Sequence, residues 1–97
     1  MMTQKEIDEA VALAKKYKIG KLYAVGSAST LAKGNDQPKD YDFAITDYPP
    51  GVFFRFYAEL RRKMPREVDL IDISGNPSLF KEIVAQEGKL LYERKAA

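Results

Sequence analysis

Apolar residues recur at three- and four-residue steps through Ile7, Ala10, Val11, Ala14 and Tyr17. This one-sided stripe predicts an amphipathic helix over residues 3–19. Thr3 and Glu6 have capping-box spacing, and Gly20 stands where a left-handed residue closes a helix. The period then shortens. KLYAV, residues 21–25, is apolar on both faces and reads as a short strand. The Gly26-Ser27 turn follows, opening a short helix over 28–33, and then a polar loop over 34–39 broken by Pro38. DYDFAI, residues 40–45, alternates: Tyr41, Phe43 and Ile45 face one way, Asp40, Asp42 and Ala44 the other. After Pro49, Pro50 and Gly51, helical spacing returns in Phe53, Phe56, Tyr57, Leu60 and Met64. It predicts a second helix over 52–64, closed before Pro65. EVDLIDI, residues 67–73, is a third strand, with Asp69 opposite Val68 and Leu70. Asp72 falls on the face away from Asp69 and reads as a structural residue. Asn76-Pro77 has the form of an N-cap with proline at the first helical position. It opens a third helix through Phe80, Ile83 and Val84 to Gly88, and KLLY, 89–92, forms a short last strand.

Strands alternate with helices, so the predicted fold is α/β. It is a small mixed sheet of three to four strands, with helices packed mainly on one face and the other face left for the carboxylates. The 97 residues make one domain, 1–97. Sixteen basic against fourteen acidic side chains give a net charge of +2, too little to argue for nucleic acid or a membrane surface. The chain has no cysteine and no histidine. Disulfides, thiol chemistry and zinc fingers are excluded, as is the commonest general base. Any chemistry must run on oxygens and amines. The charged N-terminus lacks the apolar core of a signal peptide, and no apolar run reaches the roughly 20 residues of a membrane span. The expected setting is the cytoplasm.

Asp40 and Asp42 share a strand face, their Cα atoms about 6.5–7 Å apart at strand rise. Like charges that close repel unless a cation lies between them, and hard oxygen donors suit Mg2+, with Mn2+ also accommodated. Asp69 on a neighbouring strand would be a third ligand. Three such carboxylates can hold two ions about 3.5–4 Å apart, the arrangement for in-line phosphoryl displacement. Upstream, Gly26 lets the backbone approach a phosphate closely, and a helix start after it turns N–H groups toward an anion. Ser27 adds a hydroxyl donor. Gly26 and Ser27 thus read as the holder of the terminal phosphates of a nucleoside triphosphate, and the Asp-x-Asp pair as the metal holder. Taken alone, the aspartates also suit a strand start, Gly26-Ser27 a tight turn, and Asp69 a solvated position. The basic run Arg61, Arg62, Lys63 and Arg66 suits a solvated helix end.

The ordered set, Gly26-Ser27 after the first strand, Asp40-Tyr41-Asp42 on the next and Asp69 within VDL, resembles the minimal nucleotidyltransferases. These are a small branch of the DNA polymerase beta-like nucleotidyltransferase superfamily. EGKLLYE, residues 87–93, is similar to the C-terminal pattern of its small members. Two departures stand out. The stretch 28–39 is two residues longer than is usual in small members, and Ala28 occupies a position where they commonly carry arginine. Lys33 and Lys39 are candidate substitutes for that positive charge. The resemblance implies transfer of a nucleotidyl group, AMP from ATP, to a hydroxyl of a protein or other acceptor. Asp40, Asp42 and Asp69 would hold the metals, and Asp69 would activate the acceptor oxygen. It also implies work as the antitoxin-like partner of a HEPN protein, or as a homo-oligomer. The alternative is a catalytically idle module that neutralises a partner by contact. Val52, Phe54 and Arg55, off the apolar face of the second predicted helix, are the expected contact surface.

Overall fold

The computed structural model describes residues 2–25, 40–65, 67–74, 78 and 88–95. Helix α1 (Gln4–Lys16) begins as its sequence dictates. The Thr3 hydroxyl accepts from the Glu6 N–H at 3.2 Å, and the Glu6 carboxylate accepts from the Thr3 N–H at 2.7 Å. The buried stripe is Glu6, Ala10, Leu13 and Ala14. Leu13 rather than Val11 faces the core, because the stripe drifts with the 3.6-residue turn.

The helix closes differently from the expectation for Gly20. Lys18, at φ 58°, is the left-handed residue. Its N–H donates to the Lys15 carbonyl, and the Ile19 N–H donates to the Ala14 carbonyl. That bond pair is a Schellman closure two residues before the glycine. Gly20 is required by a close approach instead. A Cβ there would stand 2.4 Å from the Asp47 Cβ and 2.7 Å from the Asp47 carbonyl oxygen. The Gly20 N–H donates to that same oxygen, while its own carbonyl accepts from the Arg94 N–H, both at 2.7 Å.

Four strands form one mixed sheet: β1 (Lys21–Val25), β2 (Asp40–Thr46), β3 (Glu67–Asp72) and β4 (Lys89–Glu93). Their order is β3-β2-β1-β4. β1 runs antiparallel to both β2 and β4, and β2 runs parallel to β3. A parallel pair needs a crossover connection, and helix α2 (Phe53–Lys63) lies between β2 and β3 in the chain. A register shift between Leu22 and Tyr23 lets β4 bulge against β1. The short helix expected over 28–33, the loop over 34–39 and the third helix after Pro77 lie outside the described residues, Ser78 apart.

The alternation of β2 divides the molecule. Tyr41, Phe43 and Ile45 join Leu22, Ala24 and Val68 on the face that α1 and α2 cover. Phe43, Phe56, Ile19, Leu22, Ile45, Leu60 and Val68 are its largest fully buried side chains. At roughly 1.5–3 kcal/mol for each large apolar side chain removed from water, this layer dominates the folding free energy. Tyr17 meets Phe56 edge-on between the helices, at 6.3 Å between ring centroids. The Lys16 ammonium bridges to Glu59 at 2.9 Å above them. The opposite face is not given over wholly to acids. Tyr23, Val25, Ala44 and Ile73 form a second, smaller buried cluster beside them.

Candidate active site

β2 and β3 place the predicted carboxylates by register. Asp40 pairs with Glu67 and Asp42 with Asp69 on the parallel strand. Residues paired in a parallel ladder point to the same side, and neighbouring strands lie about 4.8 Å apart. Asp42, Glu67 and Asp69 therefore share one sheet face at the start of both strands, and Asp40 opens β2 in register with Glu67. Asp42 is half-buried and Asp69 is exposed. The pairing is what a hard divalent cation wants, with carboxylates offered from two adjacent strands and a water-accessible side. The donor set thus fits a metal. Among the described residues no three acids converge on one ion position. The side chain of Asp40 lies outside them.

The phosphate half of the predicted site, Gly26, Ser27, Lys33 and Lys39, also lies outside the described residues. Val25, to which Gly26 is bonded, pairs with Asp42 across the antiparallel ladder. Lys39 is bonded to Asp40, the first residue of β2. Val25 and Asp40 both lie at the acidic end of the sheet.

Glu67 was not among the residues predicted from sequence, although it stands two before Asp69 and shares its face by strand alternation. A second omission lies behind the sheet. The Tyr41 hydroxyl, between the two aspartates in sequence but on the opposite face, donates to both Glu6 carboxylate oxygens at 3.0 and 3.1 Å. Tyr41 is buried, and Glu6 is 9% exposed. The available signal was an acid falling on the apolar stripe of α1, since a buried charge needs partners.

Asp72, read as structural, behaves so. The Tyr48 hydroxyl donates to it at 2.6 Å, and the Ser74 N–H donates to its other oxygen at 2.8 Å. Local desolvation pushes the Asp72 carboxyl up, but the Tyr48 and Ser74 hydrogen bonds outweigh it and hold the carboxyl below its ordinary range. Desolvation, and then the bond to Asp72, push the Tyr48 phenol up to about 12. This network ties the far ends of β2 and β3, away from the acids.

On α2, Phe54 is 77% exposed and Arg55 is exposed, as expected of a contact surface. Val52 is not part of that surface. It is half-buried and packs against the main core.

The family described as polymerase beta, nucleotidyltransferase matches residues 7–97. A search of the curated proteins found no match. Among solved structures, the chain is similar to one of a tri-AMPylated HEPN toxin with its MNT antitoxin from Shewanella oneidensis. The TM-score is 0.68 at 24% identity, over 96% of this chain and 74% of that one. It is also similar to a toxin–antitoxin structure with AMP-PNP, with a TM-score of 0.67 at 21% identity over 92% of this chain and 74% of that one. A mutant MntA–HpeT toxin–antitoxin complex matches with a TM-score of 0.67 at 19% identity, over the same shares. That mutant carries two Asp→Glu changes two positions apart.

Proposed function

The chain belongs to the polymerase beta nucleotidyltransferase family, and from that membership we propose that it is a metal-dependent nucleotidyltransferase. It moves AMP from ATP to a hydroxyl of a partner protein. The observation that carries this reading is the register of Asp42 with Asp69, next to the Asp40–Glu67 pair. Asp40, Asp42 and Asp69 would hold two Mg2+ or Mn2+ ions, which supply neutralisation of the charge on the attacking and leaving oxygens. Asp69, exposed at the edge of the pair, takes the proton of the acceptor hydroxyl. The acceptor oxygen bonds the α-phosphorus as the bond to pyrophosphate breaks. Gly26 and Ser27 hold the departing phosphates, and Lys33 and Lys39 meet their charge.

The acceptor is proposed to be a HEPN-like protein, which would make this chain the antitoxin-like member of a pair. Support comes from solved structures of similar fold: one is an AMPylated HEPN toxin with its MNT antitoxin, and another is a toxin–antitoxin structure with AMP-PNP. The spacing of the two substituted aspartates in the mutant complex equals that of Asp40 and Asp42. Ala28, in a position where small members commonly carry arginine, favours a second reading, neutralisation of the partner by contact alone.

One assay separates the two. The chain is incubated with ATP labelled at the α-phosphate, Mg2+ and a candidate HEPN-like protein. Transfer predicts label on the partner, lost with EDTA. A stable complex that never takes up label would leave the contact reading standing and remove the enzymatic one.

A further inference from the structure

The Asp-x-Asp segment is held from behind by a contact that the proposed chemistry does not use. β2 is a central strand. The last described residue of β1, Val25, pairs with Asp42. Tyr41 and Asp40 continue beyond it, paired with Val68 and Glu67 of β3. There the Tyr41 side chain passes through to the helical face and donates its hydroxyl to both oxygens of Glu6. Glu6 is held in turn. Its carboxylate accepts from the Thr3 N–H, and its N–H donates to the Thr3 hydroxyl. Of the described residues, Glu6 is the buried charged one. A carboxylate is costly to bury, and the cost is recovered only where its hydrogen bonds are complete and well directed. A buried leucine at position 6 would stabilise the α1–sheet contact at less risk. What the Glu6–Tyr41 bond adds is direction. It fixes the depth and rotation of the residue whose two neighbours are the aspartates.

We propose that Glu6 and Tyr41 are positioning residues. They clamp the first turn of α1 to the midpoint of the Asp-x-Asp segment, and so set the spacing at which Asp40 and Asp42 receive a divalent cation with its nucleotide. The inference rests on the reading of those aspartates as metal ligands. Supporting groups behind a ligand set typically change metal affinity by about 10–100-fold when lost. Acting through the backbone, this pair belongs at the lower end of that range.

The test is calorimetric titration of the full chain with ATP in the presence of Mn2+, with folding checked by circular dichroism. Tyr41→Phe and Glu6→Ala are each expected to weaken Mn2+-dependent ATP binding by about tenfold. Glu6→Gln, which keeps an acceptor for the Tyr41 hydroxyl, is expected to stay close to wild type. Tyr48→Phe removes the same kind of bond, a tyrosine hydroxyl on a carboxylate, from the other end of β2, and is expected to bind as wild type does. A purely structural role would not separate these variants. The proposal is overturned if either of Tyr41→Phe and Glu6→Ala folds and binds with wild-type affinity, or if Tyr48→Phe loses as much as they do. If the wild-type chain shows no metal-dependent ATP binding, the metal-site reading itself has failed, a result distinct from either of those.

Discussion

At the scale of single residues, one tyrosine couples the fold to pH. The Tyr48 hydroxyl lies 2.6 Å from Asp72, and its folded pKa of about 12 stands above the ordinary phenol value of 10.0. A group whose pKa is raised by folding contributes stability that is complete below its unfolded pKa and is lost as pH rises through the folded one. The Tyr48 contribution is therefore whole below about pH 10 and fades between 10 and about 12. Asp72 has the opposite sign. Its pKa is depressed below 3.8, so its contribution is present above that value and is lost on acidification through the folded pKa. Because Asp72 is exposed, water screens the pair. Tyr48→Phe should cost about 0.5–1 kcal/mol near neutral pH. Urea unfolding of both proteins across pH should show that difference flat from 6 to 9 and shrinking above about 10. A difference that grows on alkalinisation would mean the phenol is not held in its neutral form.

At the scale of elements, helix α2 shows how one segment serves two surfaces. Phe56 and Leu60 enter the core. Phe53 and Tyr57 flank them, and the Tyr57 hydroxyl donates to the Val68 carbonyl of β3 at 3.1 Å. The outward side carries Phe54, Arg55, Ala58, Arg61 and Arg62, all exposed. Aromatic residues and arginine are enriched at protein interfaces, whereas lysine is depleted. This side of α2 is accordingly the surface proposed to meet the HEPN-like partner. Phe54→Ala removes a side chain that contributes little to folding, so stability should stay within about 0.5 kcal/mol. As an interface anchor its loss should weaken the complex by about 2 kcal/mol, read as a roughly thirtyfold rise in Kd by surface plasmon resonance. Unchanged affinity would place the partner elsewhere. A lower melting temperature would mean that Phe54 supports the core.

At the scale of the whole molecule, ligand and stability are linked. A nucleotide that binds only the folded chain raises its stability by RT ln(1 + [L]/Kd), about 2.7 kcal/mol at a hundredfold excess over Kd. Thermal melts should rise with ATP and Mn2+ together and return to baseline with EDTA. Asp69→Asn, at an exposed position, should melt near the wild-type temperature without ligand and show no such rise. A shift that persists in Asp69→Asn would remove Asp69 from the metal set. The sequence by itself determined the order of the described elements, because hydrophobic period is a local property. It determined too that Asp42 falls on the face opposite Tyr41 and Phe43, because strand alternation follows from backbone geometry alone. The predicted mixed sheet, with helices on one side, agrees with the fold of the matched nucleotidyltransferase structures. Only the tertiary structure decided which strand is parallel to β2, and hence that Asp42 meets Asp69 and Asp40 meets Glu67. Register between distant segments is set by packing over the whole sheet, and it leaves no mark in either segment alone. The same holds for Gly20, whose requirement comes from Asp47 across the sheet end. It holds also for Glu6, 35 residues from the tyrosine that accounts for its burial. These residues respond to neighbours that folding brings to them, and a window of local sequence does not contain those neighbours.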